Sequence, residues 1–354
     1  MKTIVFTGGG TAGHVTPNLA LIERLDRSEW NIHYIGTADG IEAKLIADCK
    51  GIDYHAVAWG KLRRYFSVKN FTDPFRVIKG YFQSVKIMKD VKPDVLFSKG
   101  GYVSVPVVMA ARGKCPVIVH ESDFSPGLAN RIASKFADTV CVSFRDTLDK
   151  VPKNKGVYTG TPIRSRLFTG DRARALKMTG LSGEKPVLLM MGGSTGAVAV
   201  NEKLRHALPL ILKDFDVVHL TGKGNQKPEL ETKGYVQYEY INEELPDLFA
   251  LADIVLSRAG ANAVFELVAL HKPALYIPLP LEASRGDQIL NANYCCQHGY
   301  GLVLMQSETN DETLTRALSE LYNKRDSFVS AMKQSGGSDA ADNILKLIFK
   351  AAKV

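Results

Sequence analysis

The chain has 354 residues, too many for one ordinary core and enough for two domains. Its 45% hydrophobic and 23% charged residues are those of a soluble globular protein, not of a disordered or membrane-embedded one. A formal charge of +8 and a pI near 9.1 favour an acidic partner: nucleic acid, an anionic membrane surface or a phosphorylated substrate.

Met1 and Lys2 precede only a short apolar run, which reads as a first strand and not as a signal peptide. No apolar stretch is long enough to span a bilayer. Cys49, Cys115, Cys141, Cys295 and Cys296 form no Cys-x-x-Cys pair and read as reduced core thiols of a cytoplasmic protein.

The first half alternates strand and helix signals. Strands are predicted at Lys2–Phe6, Asn31–Ile35, Tyr54–Ala58, Asp94–Phe97, Pro116–His120 and Thr139–Val142. Helical patterns lie between them at Asn18–Leu25, Ile41–Cys49, Ser104–Arg112 and Leu128–Phe136. Gly160-Thr161-Pro162-Ile163-Arg164 reads as a boundary, giving domains 1–162 and 163–337. A helix begins afresh over Asp171–Met178. The second half then predicts strands at Val187–Met191, Asp216–Leu220, Tyr235–Tyr238, Ile254–Leu256, Ala274–Ile277 and Gly301–Leu304. Residues 338–354 form one amphipathic helix, expected to pack back on the first domain. Such alternation argues for parallel sheets with helices on both faces.

In each half a strand runs into a glycine-rich loop and then a helix. The first loop is Thr7-Gly8-Gly9-Gly10-Thr11-Ala12-Gly13-His14 and the second Gly192-Gly193-Ser194-Thr195-Gly196-Ala197. Glycines allow sharp turns and close approach of an anion to backbone N–H groups at a helix start. The pattern predicts two nucleotide-binding-type α/β domains facing one cleft. Neither loop is a Walker sequence. Gly8-x-Gly10-x-x-Gly13 matches the dinucleotide pattern, but Asn31–Ile35 runs into Gly36-Thr37 with no acidic residue for a ribose, which counts against a nicotinamide or flavin enzyme.

Thr16-Pro17 reads as a helix start capped by the threonine, which places His14 at the mouth of the first loop. The positive field there favours a neutral imidazole, able to act as a general base; the alternative is a histidine that only shapes the loop. Glu266, about two turns into the helix after Ser257-Arg258-Ala259-Gly260, suits a vicinal diol such as a ribose, or is a plain helix glutamate. Asp287 and Gln288 open a helix at the C-terminal edge of the sheet and suit sugar hydroxyls. Asp214-Phe215-Asp216 precedes a strand, away from any ligand crevice, so no metal site is expected.

Lys61–Lys89 interleaves Lys61, Arg63, Arg64, Lys69, Arg76, Lys79, Lys86 and Lys89 with Leu62, Tyr65, Phe66, Phe71, Phe75, Ile78, Tyr81 and Phe82. This suits an anionic membrane interface. A solvated helix with a buried apolar face, or a nucleic-acid patch, are the competing readings.

In this order, Gly9–His14, Gly100-Gly101-Tyr102-Val103-Ser104, His120-Glu121, Gly160–Arg164, Gly192-Gly193-Ser194 and Asp287-Gln288 with Asn291-Ala292 resemble the MurG-type family over nearly the whole chain. These are the undecaprenyldiphospho-muramoylpentapeptide β-N-acetylglucosaminyltransferases. The resemblance implies a GT-B fold of two Rossmann-like domains, no cofactor, and inverting transfer of N-acetylglucosamine from UDP-N-acetylglucosamine to lipid I, giving lipid II. It implies a peripheral location on the cytoplasmic face of the cell membrane, reached through 61–89, and no nucleic-acid partner. Carried onto this chain, it places Thr11, Ala12, Gly13, Asp123, Arg164, Ser194, Ile241, Ala261, Asn262, Ala263, Glu266 and Gln288 at the donor. His14, Gly100, Gly101, Tyr102 and Ser104 fall on the acceptor side. The chain departs from the family at Ala12 (usually glycine), at Asp123 (usually asparagine) and at Ala263 (usually threonine). A carboxylate at 123 near a diphosphate would be repulsive unless aimed at a hydroxyl. The rival expectations are another GT-B lipid glycosyltransferase, a UDP-N-acetylglucosamine 2-epimerase and a non-catalytic membrane scaffold that binds the nucleotide sugar.

Overall fold

In the computed structural model, which describes residues 1–60, 69–193, 196–335 and 340–354, the apolar runs build two parallel sheets. They belong to separate units, Met1–Arg164 with Asp339–Val354, and Ser165–Ser338.

The first sheet holds β1 (Lys2–Thr7), β2 (Trp30–Gly36), β3 (Ile52–Ala56), β4 (Val95–Ser98), β5 (Val117–Glu121), β6 (Thr139–Val142) and β7 (Gly156–Tyr158) in the order β3-β2-β1-β4-β5-β6-β7. Between them run α1 (Thr16–Ile22), α2 (Ile41–Ala47), α3 (Lys69–Val91), α4 (Ser104–Ala111) and α5 (Leu128–Phe136). Side chains alternate across a strand. Ile4 and Phe6 therefore join one apolar layer with Trp30, Ile32 and Tyr34, while Val5 joins the opposite layer with Leu96, Val107 and Val119. Both faces are covered, which is why these strands read as unbroken apolar runs.

The second unit begins with α6 (Arg172–Thr179). Asp171 caps it, accepting from the N–H groups of Ala173 (2.7 Å) and Arg174 (3.0 Å), and Gly180 ends it at φ 69°. Its sheet holds β8 (Val187–Met191), β9 (Asp216–Leu220), β10 (Tyr235–Tyr238), β11 (Ile254–Ser257), β12 (Ala274–Tyr276) and β13 (Gly301–Val303) in the order β10-β9-β8-β11-β12-β13. Its helices are α7 (Val198–Ile211), α8 (Leu245–Leu251), α9 (Ala261–Ala269), α10 (Asp287–Gln297), α11 (Asp311–Asn323) and α12 (Arg325–Gln334).

The last helix, α13 (Ala340–Ala352), belongs to the first unit. Its Ile344, Leu345 and Ile348 enter the core layer of Ile4 and Phe6. Phe349 stacks on Trp30 with ring centroids 5.7 Å apart, and Asp342 pairs with Arg24 at 2.6 Å.

Three local expectations need correction. β3 lies two residues earlier than the sequence pattern predicts, because its partner β2 ends at Gly36, which pairs with Ala56. The three-residue edge strand β7 is too short to leave a periodicity, although Gly156 pairs with Val140. Thr16 does not cap α1. It is the first helical residue, and Val15 holds the cap position without a side-chain bond.

Each sheet reverses its strand order once, between β1 and β4 and between β8 and β11. Open α/β sheets bind ligands beyond the carboxyl ends of strands at such a reversal. The glycine loops after β1 and β8 sit there.

Ile348→Ala should lower the stability of the first unit by about 2–5 kcal/mol, the cost of a methyl-lined void in a packed core. Urea unfolding followed by tryptophan fluorescence measures it, and an unchanged midpoint would mean that α13 contributes no core packing.

Candidate functional site

In the first unit the loops after β1 and β4 touch through backbone. The Gly9 N–H faces the Gly100 carbonyl at 3.4 Å. A Cβ on Gly101 would collide with the Gly9 carbonyl, and one on Gly10 with the Tyr102 ring. Gly10, Gly100 and Gly101 have φ of 87°, 95° and 87°, a region that side chains disfavour. The buried Glu42 carboxylate pins this loop from behind. It accepts from the Gly10 N–H (3.1 Å), the Thr37 N–H (3.0 Å) and the Thr37 hydroxyl (2.6 Å).

Ala12–His14 forms a single 3-10 turn ahead of α1. Thr11 Oγ1 and His14 Nδ1 are 3.1 Å apart at the surface. With Nδ1–H donating to the threonine oxygen, Nε2 is the basic nitrogen; with the threonine hydroxyl donating, Nε2 carries the proton.

Beyond β4 and β5 lies a buried charged cluster that sequence reasoning missed. Lys99, directly before Gly100, is 1% exposed and its ammonium donates to Ser122 Oγ. Burial pushes its pKa down to about 8, against the pull of Glu121 and Asp123. Burial and the nearby Asp123 raise the Glu121 carboxyl. Glu121 accepts from the N–H groups of Asp123 (2.9 Å) and Gly127 (3.1 Å) and from Asn130 Nδ2 (3.0 Å). His120 Nε2–H donates to the Gly160 carbonyl at 2.8 Å, and burial followed by the Lys99 charge holds this histidine well below its ordinary pKa. A lysine after an apolar strand ordinarily reads as solvated; only its place directly before two glycines hinted otherwise.

In the second unit Gly192 and Gly193 follow β8, and Ser194 lies outside the described residues. A Cβ on Gly196 would strike the Thr221 carbonyl, so the turn lies flat on the end of β9. Asn201 of α7 fixes this junction, donating to the Thr221 carbonyl at 2.8 Å and meeting His219 Nε2 at 3.1 Å, while His219 Nδ1 meets Tyr235 Oη at 2.9 Å. Burial, then the Arg205 charge, lowers His219 to about 3. Met191, Gly192, Gly193, Leu220, Tyr240 and Ile241 line a pocket of about 120 Å³.

Beside it, α9 begins at Gly260 with no side-chain cap, leaving the N–H groups of Ala261, Asn262 and Ala263 as its first-turn donors. Glu266 lies in the second turn. Arg258 ties this junction to β12, donating to the carbonyls of Ile277 (3.0 Å) and Pro278 (3.1 Å) and to Gln306 (2.7 Å). Gln288 accepts from the Leu279 N–H at 3.1 Å, and Asn291 donates to the Ala259 carbonyl at 3.1 Å.

The structure thus brings Gly9 and Gly10, which lead into Thr11–His14, against Gly100, Gly101 and Tyr102, and Ser104 Oγ closes that turn on the Gly101 carbonyl at 2.8 Å. It sets Ile241 against Gly192 and Gly193, and groups Ala261, Asn262, Ala263 and Glu266 on one helix. Asp123 stands in the loop after β5, and Arg164 is the last residue of the first unit's long segment.

Residues 4–142 match the glycosyltransferase family 28 N-terminal domain and residues 187–347 the family 28 C-terminal domain. The chain is 54% identical over 350 residues, 98% of each chain, to the UDP-N-acetylglucosamine–N-acetylmuramyl-(pentapeptide) pyrophosphoryl-undecaprenol N-acetylglucosamine transferase of Lachnoclostridium phytofermentans. It is 51% identical over 355 residues, the whole of both chains, to the transferase of the same name from Clostridium botulinum (strain Langeland). Among solved structures it is similar to MurG of Acinetobacter baumannii, with a TM-score of 0.78 and 26% identity over 99% of this chain and 100% of that one. A Listeria monocytogenes protein assigned as a UDP-N-acetylglucosamine 2-epimerase has a TM-score of 0.71 at 13% identity, over 99% of this chain and 96% of that one; this likeness shows the fold alone.

His219 is held neutral when folded but takes a proton near pH 6.5 once unfolded. The stability it contributes is complete above pH 6.5 and is lost as the pH falls from there toward about 3. Urea midpoints should therefore fall with acidification over that window, and His219→Gln should flatten the fall. An identical slope in the variant would contradict the role given to this histidine.

Proposed function

The chain belongs to glycosyltransferase family 28, and from that premise we propose that it transfers N-acetylglucosamine from UDP-N-acetylglucosamine to lipid I, giving lipid II for peptidoglycan. The observation that carries this reading is the end-to-end sequence match to transferases of that name. The glycine turns at both strand-order reversals support it. The epimerase likeness is one of fold and adds no competing observation.

On this reading the donor uses the second unit. The pocket of Gly192, Gly193 and Ile241 has the size and apolar walls for a flat base. Glu266 accepts from the ribose diol. The diphosphate lies against the first-turn N–H groups of α9, where the helix dipole favours negative charge. Ser194 and Gln288 complete the donor set on this unit, while on the first unit the family resemblance assigns Thr11, Ala12, Gly13, Asp123 and Arg164 to the donor. The acceptor diphosphate uses the Gly100–Ser104 turn.

His14 Nε2 removes the proton from the muramoyl C4 hydroxyl while Thr11 holds Nδ1. The hydroxyl oxygen then attacks the anomeric carbon from the face opposite UDP. The bond from that carbon to the phosphate oxygen breaks, its electron pair leaves with UDP, and the configuration inverts. Backbone N–H groups stabilise the departing charge.

The acceptor's lipid calls for a membrane surface. Among the described residues no helix is long and apolar enough to cross a membrane. Helix α3 offers a different contact. Gly80, Ser84 and Met88 face inward, and Ala58 N–H donates to Gln83 Oε1 at 2.7 Å. On the other face Phe75, Ile78 and Phe82 are 73%, 53% and 64% exposed, spaced as one stripe. Arg76, Lys79, Lys86 and Lys89 surround them. Residues 61–68 of this basic stretch lie outside the described residues. We place this face against anionic lipid on the cytoplasmic side of the cell membrane.

Transfer of label from radiolabelled UDP-N-acetylglucosamine to a soluble lipid I analogue tests the activity. His14→Ala should lower kcat by about 10²–10⁴, and a near-normal kcat would remove His14 from the base's role. Replacing Phe75 and Phe82 together by serine should weaken sedimentation with anionic vesicles by roughly a hundredfold or more, since burying each ring is worth about 1.5–3 kcal/mol. Undiminished vesicle binding would place the membrane contact elsewhere.

A further inference from the structure

Lys99 has no part in the chemistry above, yet lysine is almost never fully buried unless paired. Its surroundings explain why it is tolerated. The titratable groups facing it are Glu121 and Asp123 from the end of β5 and the loop after it, and His120 within β5. His120 is neutral. Both oxygens of Glu121 are engaged by N–H donors of Asp123, Gly127 and Asn130, so its carboxylate closes the 121–127 loop on itself. Lys99 Nζ meets Ser122, the residue between the two acids. The Lys99 backbone N–H donates to the Thr7 carbonyl at 2.9 Å, at the end of β1. One residue thus ties the end of β1, by its backbone, and the loop bearing Asp123, by its side chain, to the start of the Gly100–Gly101 turn.

We propose that Lys99 is a positioning residue for the transfer: its ammonium offsets part of the negative charge of Glu121 and Asp123 and, through Ser122, fixes the loop that carries the Asp123 carboxylate, so that this carboxylate accepts a hydroxyl of the donor sugar without repelling the diphosphate. The like-charge conflict raised by an aspartate at 123 then has its answer one strand away. Asp123 is half-buried in this loop, and an ionised carboxylate has several acceptor sites. Removing only the cation would leave two carboxylates sharing a site, which favours protonation of one of them. The inference rests on the transferase reading for its substrate and on the structure for its charge coupling, and the two parts are tested separately.

The coupling is read by NMR on carbon-13-labelled aspartate and lysine in the full chain. In Lys99→Met the Asp123 carboxyl should titrate at least roughly one pH unit higher than in the wild type, a tenfold change in proton affinity. From the other side, Asp123→Asn should make the Lys99 Cε resonance titrate at lower pH, a measurement that does not require the methionine variant to fold. Unmoved midpoints overturn the proposal whether or not transfer is seen. For the reaction, Lys99→Met should raise KM for UDP-N-acetylglucosamine roughly tenfold and shift the acid limb of kcat/KM upward, and the double variant Lys99→Met with Asp123→Asn should recover most of that loss. A double-mutant cycle in which the two losses simply add, or a Lys99→Met enzyme with the wild-type pH profile, overturns it, because a lysine that only fills space gives those results. A wild-type protein without transfer activity counts against the functional reading and leaves the NMR outcome to decide the coupling.

Discussion

The rest of the molecule is built around a place where backbone must approach backbone. At the strand-order reversal of the first sheet, the turns after β1 and β4 press together so closely that a Cβ on Gly101 would occupy the Gly9 carbonyl. At the reversal of the second sheet, the turn after β8 lies on the Thr221 carbonyl with equally little room at Gly196. Side chains are excluded from these contacts, and the Gly9, Gly10 and Gly196 N–H groups there are bonded to Gly100, Glu42 and Gly193, which sets the turns. The first-turn N–H groups of α9 are likewise fixed by the fold and need no reorganisation as negative charge develops against them. The buried Glu42 and the Asn201–His219 contact are the struts that keep each turn in place.

Charge is handled differently in the two units. In the second, α9 begins at Gly260 with no side-chain cap, and Arg258 is committed to carbonyls and Gln306. In the first, a fully buried ammonium stands beside two carboxylates close to the glycine turns. Buried charges held this way are poor sources of net stability, because desolvation consumes most of the Coulomb gain. Their value lies in fixing one geometry, and the 121–127 loop is the element so fixed. Helix α3 shows the opposite economy: a long helix whose buried face is small and whose aromatic face is left in solvent, an arrangement that fits a surface able to cover it.

Much of this was legible in the sequence for a simple reason. Strands covered on both faces cannot alternate, so runs such as Val187–Met191 announce a parallel sheet, and the glycines that follow them announce the turns. The resemblance then named the chemistry that physics alone left open. What escaped was whatever depends on a neighbour. The start of β3 is set by where β2 ends, the edge strand β7 has three residues and no period, and Val15 takes the cap position that Thr16 was expected to fill. The burial of Lys99 left no trace beyond the two glycines that follow it, since a lysine's environment is decided by strands far away in the chain.

The central claim is that backbone amides at the second unit's strand-order reversal hold the nucleotide diphosphate. Hydrogen-exchange mass spectrometry with and without UDP-N-acetylglucosamine addresses it directly. Slowed exchange should concentrate on the peptides that contain Gly192–Gly193 and Ala261–Asn262. Exchange there that is indifferent to the nucleotide sugar, with protection confined to other sheet edges, would contradict the account.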